Sequence, residues 1–110
     1  MKLAVVGSRN WAMPIIVSKV LDEIYPAEIV SGGAKGPDSY AEAWALLHLI
    51  PVKIFKPDWS VGKKGAAVRN RKIVEYCDQL IAFWDGKSKG AKMTIDMAEH
   101  DGKLMKVYLE

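Results

Sequence analysis

Five short apolar runs alternate with four stretches of helical periodicity, and that alternation limits the folds open to this chain. The runs are Leu3–Val6, Glu28–Ser31, Val52–Phe55, Gln79–Trp84 and Leu104–Leu109. Each is rich in β-branched or aromatic residues and short enough for a buried strand. Between the first two, Ile15, Ile16, Val20, Leu21 and Ile24 recur at helical spacing, and Pro26 ends the segment. Pro14 falls within the first turn, where a missing N–H is harmless. Further helices are predicted over about 37–48, 65–76 and 91–99, the last stopped by Asp101-Gly102. Strict β-α alternation calls for a parallel sheet covered on both faces. The expected fold is therefore α/β: a Rossmann-like three-layer α/β/α sandwich with a five-stranded parallel sheet.

Length and composition narrow the class. The 110 residues fit one domain, 1–110, with half of them hydrophobic and 26% charged. No apolar run approaches the roughly 20 residues of a membrane span, so no membrane partner is expected. The opening Met1–Gly7 is too short for a signal peptide and reads as a strand. Cys77 is the sole cysteine, which precludes an internal disulfide and makes a cytoplasmic location the default expectation. The net charge is +3, with basic residues grouped at Lys63, Lys64, Arg69, Arg71 and Lys72 and at Lys87, Lys89 and Lys92. Either a solvated basic face or an anion site accounts for these groups. No aromatic-interleaved basic stripe is visible along the row of residues, which ranks nucleic acid below a small nucleotide as partner.

In an open parallel sheet, ligands bind beyond the carboxyl ends of the strands. Three loops arrive there with glycine and charge. They are Gly7-Ser8-Arg9-Asn10-Trp11, Ser31-Gly32-Gly33-Ala34-Lys35-Gly36 and Asp85-Gly86-Lys87-Ser88-Lys89-Gly90. Glycine lets backbone N–H groups approach a ligand, and a helix start adds free donors and partial positive charge. Together these make a phosphate site. The alternative is that the glycines only turn the chain between strand and helix. Neither Gly-x-Gly-x-x-Gly nor the P-loop pattern occurs, so neither common nucleotide motif is present. No metal-ligand spacing is seen, and no cofactor is called for. Trp11 and Trp59 lie in loops beside this edge and offer stacking faces, whereas Trp44 reads as packing.

The stretches VVGSRNW, VSGGAKGPDSYAEAWA and KPDWSVGKKGAAVRNRKIVEYCDQLIAFWDGKSKGAKMTIDMA together resemble the SLOG superfamily. More narrowly, the chain is similar to its small stand-alone bacterial and phage members. The superfamily also holds the LOG phosphoribohydrolases and the Rossmann-like domain of the Smf/DprA DNA-processing proteins. The resemblance implies binding of a nucleotide or nucleotide-derived ligand, as a sensor or binding module. It implies that Gly7, Ser8 and Arg9 line the first loop. Ser31, Gly32, Gly33, Ala34, Lys35 and Gly36 then form the phosphate turn, with Asp38 opening the next helix. Arg69 and Asn70 reach in from the third helix, and Trp84, Asp85, Gly86, Ser88 and Gly90 close the pocket. A homodimer is also within what the resemblance implies.

LOG enzymes carry P-G-G-x-G-T-x-x-E, whose glutamate takes part in glycosidic cleavage. Here the turn reads S-G-G-A-K-G-P-D-S-Y-A-E, with neither Thr nor Glu at the matching place. Asp38 sits near it and Glu42 a turn deeper. Turnover therefore stays open: an N-glycosidic hydrolase is the alternative to a binding module, with Asp38 and Arg69 as catalytic candidates. A DNA-binding protein is the third reading.

Overall fold

The computed structural model describes residues 1–110. Five strands form one parallel sheet: β1 (Lys2–Gly7), β2 (Glu28–Ser31), β3 (Val52–Ile54), β4 (Gln79–Trp84) and β5 (Leu104–Leu109). Their spatial order is β3-β2-β1-β4-β5. Four helices connect them: α1 (Pro14–Ile24), α2 (Pro37–Leu47), α3 (Lys64–Tyr76) and α4 (Lys89–His100). A 3-10 turn at Trp59–Val61 precedes α3. The expected three-layer Rossmann-like sandwich is the observed one.

The two-residue period of the strands builds two cores. Leu3 and Val5 of β1, with Ile81 and Phe83 of β4, face α1 and α2, where Val17, Leu21, Ala41 and Trp44 meet them. The intervening Ala4, Val6, Leu80 and Ala82 face Ile73 and Val74 of α3 and Ile95 and Ala98 of α4. Burial on both faces explains why the central strands read as unbroken apolar runs. α1 starts at Pro14, and Trp11 lies in the loop before it. Trp11 is 2% exposed and packs edge-on against Phe83, with ring centroids 5.4 Å apart. Its indole N–H donates to the Met13 carbonyl. No helix is long and apolar enough to cross a membrane.

Strand order reverses between β1 and β4, because the connection leaving β1 runs outward to β2 and β3 before α3 returns to β4. The loops after β1 and β4 therefore separate above the sheet, and the crevice between them is where such folds place a ligand.

Candidate functional site

A cleft of about 660 Å³ opens at the carboxyl edge of the sheet. Gly7 and Arg9 come to it from the loop after β1, and Gly32, Gly33 and Ala34 from the turn after β2. Asp38 reaches it from the first turn of α2, Arg69 and Asn70 from α3, and Ser88 and Gly90 from the start of α4. Lys56, Pro57 and Trp59 form the remaining wall, with Ala66, Ala91 and Thr94. This volume falls in the range of ordinary ligand pockets.

Close backbone approach holds the loops together. A Cβ on Gly7 would stand 2.4 Å from the Phe83 carbonyl oxygen and 2.6 Å from Pro37 Cγ. Gly36 has φ +85, and a Cβ there would meet the Ser8 carbonyl oxygen at 2.7 Å. Gly36→Ala therefore combines left-handed backbone strain with overpacking. A loss of about 2–4 kcal/mol is expected in denaturant unfolding.

The glycine turn is already engaged by an anion from its own chain. Asp38 Oδ2 accepts the N–H groups of Gly32 and Ala34 at 3.0 and 3.3 Å. The Gly33 N–H donates to Ser31 Oγ at 3.1 Å, and that hydroxyl donates to Glu42 Oε2 at 2.5 Å. Asp38 thus stands where the free-turn reading puts a phosphate. Burial pushes its carboxyl up to about 6, against the opposing pull of the Ala34 and Gly32 N–H groups and the Arg69 charge. The Glu42 carboxylate adds to the rise.

Arg69 fastens the opposite wall. Its Nη1 donates to the Gly32 carbonyl at 2.5 Å and its Nε to Asn70 Oδ1 at 2.8 Å. Burial lowers its pKa, Asp38 counters that, and the Arg9 charge adds to the lowering. Two guanidinium groups therefore share the cleft. Asn70 is buried, and its amide has only the Met93 sulfur, at 4.0 Å, as acceptor.

Other sequence candidates hold the frame rather than line the cleft. Ser8 is buried and its Oγ accepts the Asp85 N–H at 2.9 Å, tying the first loop to the last. Asp85 accepts the N–H groups of Lys87 and Ser88 at 2.8 Å each, which holds its carboxyl below the ordinary range. Gly86, with φ +80, turns that loop. Trp84 packs against the α3–α4 core and donates to the Ser88 carbonyl. Lys35 points to solvent beside the turn. Trp11, read from the sequence as a stacking face, is a core residue because its indole fills the space under the first loop.

Trp59 is 61% exposed at the cleft rim. The sequence marked it as a candidate, but not its neighbour Lys56. Its loop is clamped at both ends. Asp58 Oδ1 accepts the Ser60 N–H at 3.0 Å, and a Cβ on Gly65 would lie 2.1 Å from the Asp58 carbonyl oxygen.

Fold and cleft together define a Rossmann-like α/β domain with a glycine turn after β2, next to the switch point between β1 and β4. The chain belongs to the YspA, cpYpsA-related SLOG family, YAcAr, whose pattern matches residues 1–62. It is 31% identical over 114 residues to the Gene 61 protein of Mycobacterium phage D29, covering 92% of this chain and 90% of that one. Its fold is similar to that of DNA processing protein A (DprA) from Streptococcus pneumoniae, with a TM-score of 0.81 and 25% identity over 96% of this chain. It also matches the Helicobacter pylori protein of that name, described for its single-stranded DNA binding mode, with a TM-score of 0.70 and 24% identity over 96% of this chain. The chain spans 49% and 64% of those two proteins.

This likeness to DNA-processing proteins overturns the low rank given to nucleic acid as partner. The physical reason is that the aromatic and the cations are dispersed in sequence. Arg9, Lys56, Trp59 and Arg69 meet only when the strands align their loops at one edge. The fold is one capable of binding nucleic acid or a nucleotide-related ligand.

Proposed function

We propose that the chain binds single-stranded nucleic acid across the carboxyl edge of its sheet. The observation that carries this reading is the exposed Trp59 face set among Arg9, Lys56 and Arg69 in one cleft. Strand binders combine a cationic track for the backbone with aromatic faces on which bases stack. Lys63 and Lys64, both exposed at the head of α3, extend the charge beyond the cleft. In this arrangement Arg9 and Lys56 take phosphates, and Trp59 takes a base. Because Asp38 holds the glycine turn, the strand's phosphates rest on side-chain cations rather than on the turn's N–H groups.

Fluorescence anisotropy with a labelled oligothymidine tests this directly. If about three phosphates are neutralised, log affinity falls against log salt with a slope near −2, or roughly twentyfold between 50 and 200 mM salt. Binding that ignores salt, or none at low salt, refutes the reading.

One observation favours a second reading, a nucleotide hydrolase. A buried carboxyl with a pKa of about 6 lines the cleft, which suits general acid–base work near neutrality. Incubation with nucleoside monophosphates separates the two. Release of free base and ribose phosphate supports the hydrolase, and full recovery of the nucleotide removes it.

A further inference from the structure

Asn70 carries hydrogen-bond donors that the chain itself does not satisfy. The residue is 8% exposed on the wall of the cleft. The Arg69 Nε can only donate, so the atom it meets at 2.8 Å is Oδ1, which fixes the amide nitrogen on the other side. That nitrogen has two hydrogens to give, and only the Met93 sulfur, at 4.0 Å, to take one. Buried donors are nearly always paired, so an amide left in this way calls for an oxygen from outside the chain.

Met93 lies three residues after Gly90 on the same face of α4, which places the Asn70 amide beside the first turn of that helix. Gly90 and Ser88 line the cleft there. The Gly90 N–H has no acceptor, as in the first turn of any helix without a cap for it. Ser88 Oγ accepts the Ala91 N–H at 3.5 Å, and its own hydrogen is left over. The first turn of α2 holds Asp38, whereas the first turn of α4 holds no acidic residue. Packing does not demand glycine at position 90, since a Cβ there would meet nothing within 4 Å. Glycine in a helix is destabilising relative to alanine, so the smaller residue serves the opening rather than the helix.

We propose that this α3–α4 wall is a site for a phosphate monoester, and that the chain takes a single strand by a phosphorylated end. The Asn70 amide, the Ser88 hydroxyl and the Gly90 N–H match the three terminal oxygens of a monoester, whereas a phosphodiester inside a strand has only two. The helix start and the exposed Lys87 and Lys89 favour the monoester's second charge. The site is distinct from the glycine turn, whose N–H groups Asp38 already occupies. The strand-end form rests on the single-strand reading above: with the end anchored here, Arg9, Lys56 and Trp59 hold the nucleotides that follow.

Three internally labelled oligothymidines test the proposal, one with a 5′-phosphate, one with a 3′-phosphate and one with hydroxyls at both ends. At fixed salt, one phosphorylated form is expected to bind about tenfold to a hundredfold more tightly than the hydroxyl form, the scale of charge-assisted hydrogen bonds. Asn70→Asp keeps an oxygen for Arg69 but removes the donor, and is expected to bring that ratio to about one. Gly90→Ala is expected to lower the ratio as well while melting no lower than wild type, so the test survives an Asn70 variant that folds poorly. Equal binding of all three strands overturns the proposal and leaves the single-strand reading standing. A ratio that persists in both variants overturns it too. Calorimetry with thymidine monophosphate separates the two readings. If no strand binds but the mononucleotide does, and Asn70→Asp abolishes that binding, the monoester site holds and its strand-end form falls with the single-strand reading. If neither the strands nor the mononucleotide bind, both readings fall.

Discussion

Trp59→Ala is expected to weaken oligothymidine binding by about tenfold to a hundredfold while leaving the melting temperature nearly unchanged. Stacking of one base on an aromatic side chain contributes about 1–3 kcal/mol. The indole is 61% exposed and belongs to neither core cluster, so its removal opens no cavity. Surface changes of that kind stay within roughly 0.5 kcal/mol of wild-type stability. Titration of a labelled oligothymidine alongside thermal melting reads both quantities. Unchanged affinity would take the base off Trp59. A matching drop in melting temperature would make the indole a structural element of its loop.

Asp38→Asn is expected to stabilise the protein at neutral pH. The folded carboxyl has a pKa of about 6 against an unfolded value near 3.8. A raised carboxyl pKa means that the folded state holds its proton more tightly. The contribution to stability is complete below the unfolded value and disappears as pH climbs through about 6. At pH 7 and above, the buried carboxylate costs on the order of 2–3 kcal/mol relative to the protonated form. Asparagine keeps an oxygen for the Gly32 and Ala34 N–H groups without that charge. A gain of about 10 °C in melting temperature is expected at pH 7.5, shrinking to none near pH 4. A variant that melts lower than wild type at pH 7.5 would show that the Arg69 charge outweighs burial. If the gain appears, retention of Asp38 at neutral pH reflects use of the carboxylate rather than stability.

Periodicity made the fold legible because burial on both faces leaves the inner strands nearly free of polar residues. Ala4, Val5, Leu80 and Ile81 are fully buried, and their apolar runs stand out in any reading of the row. Two of the three glycine-bearing loops were legible for a similar reason. Gly7 and Gly36 sit where a Cβ would strike the backbone of another segment, Phe83 of β4 and Ser8 of the first loop, and only glycine fits. What the sequence hid are relations across distance. Lys56 looks like any lysine after an edge strand until the sheet brings it beside Arg9 and Arg69. Asp38 reads as a helix-opening residue, and nothing in its neighbours says that its oxygen fills the turn before it. Trp11 reads as a loop aromatic because it follows Gly7-Ser8-Arg9-Asn10, and only in the folded chain does that loop turn inward, with the Trp11 backbone N–H donating to the Ser8 carbonyl.

The clamp beneath Trp59 has a kinetic consequence. Gly65 seats the Asp58 carbonyl directly on the first turn of α3, and the Asp58 side chain ties back to Ser60. If the chain binds a strand as proposed, the loop that carries Trp59 is already set before the strand arrives. Association should proceed in one phase, with a rate set by charge-steered encounter and slowed by added salt. Differences among strands of similar length then fall on how long each stays, not on how fast each lands.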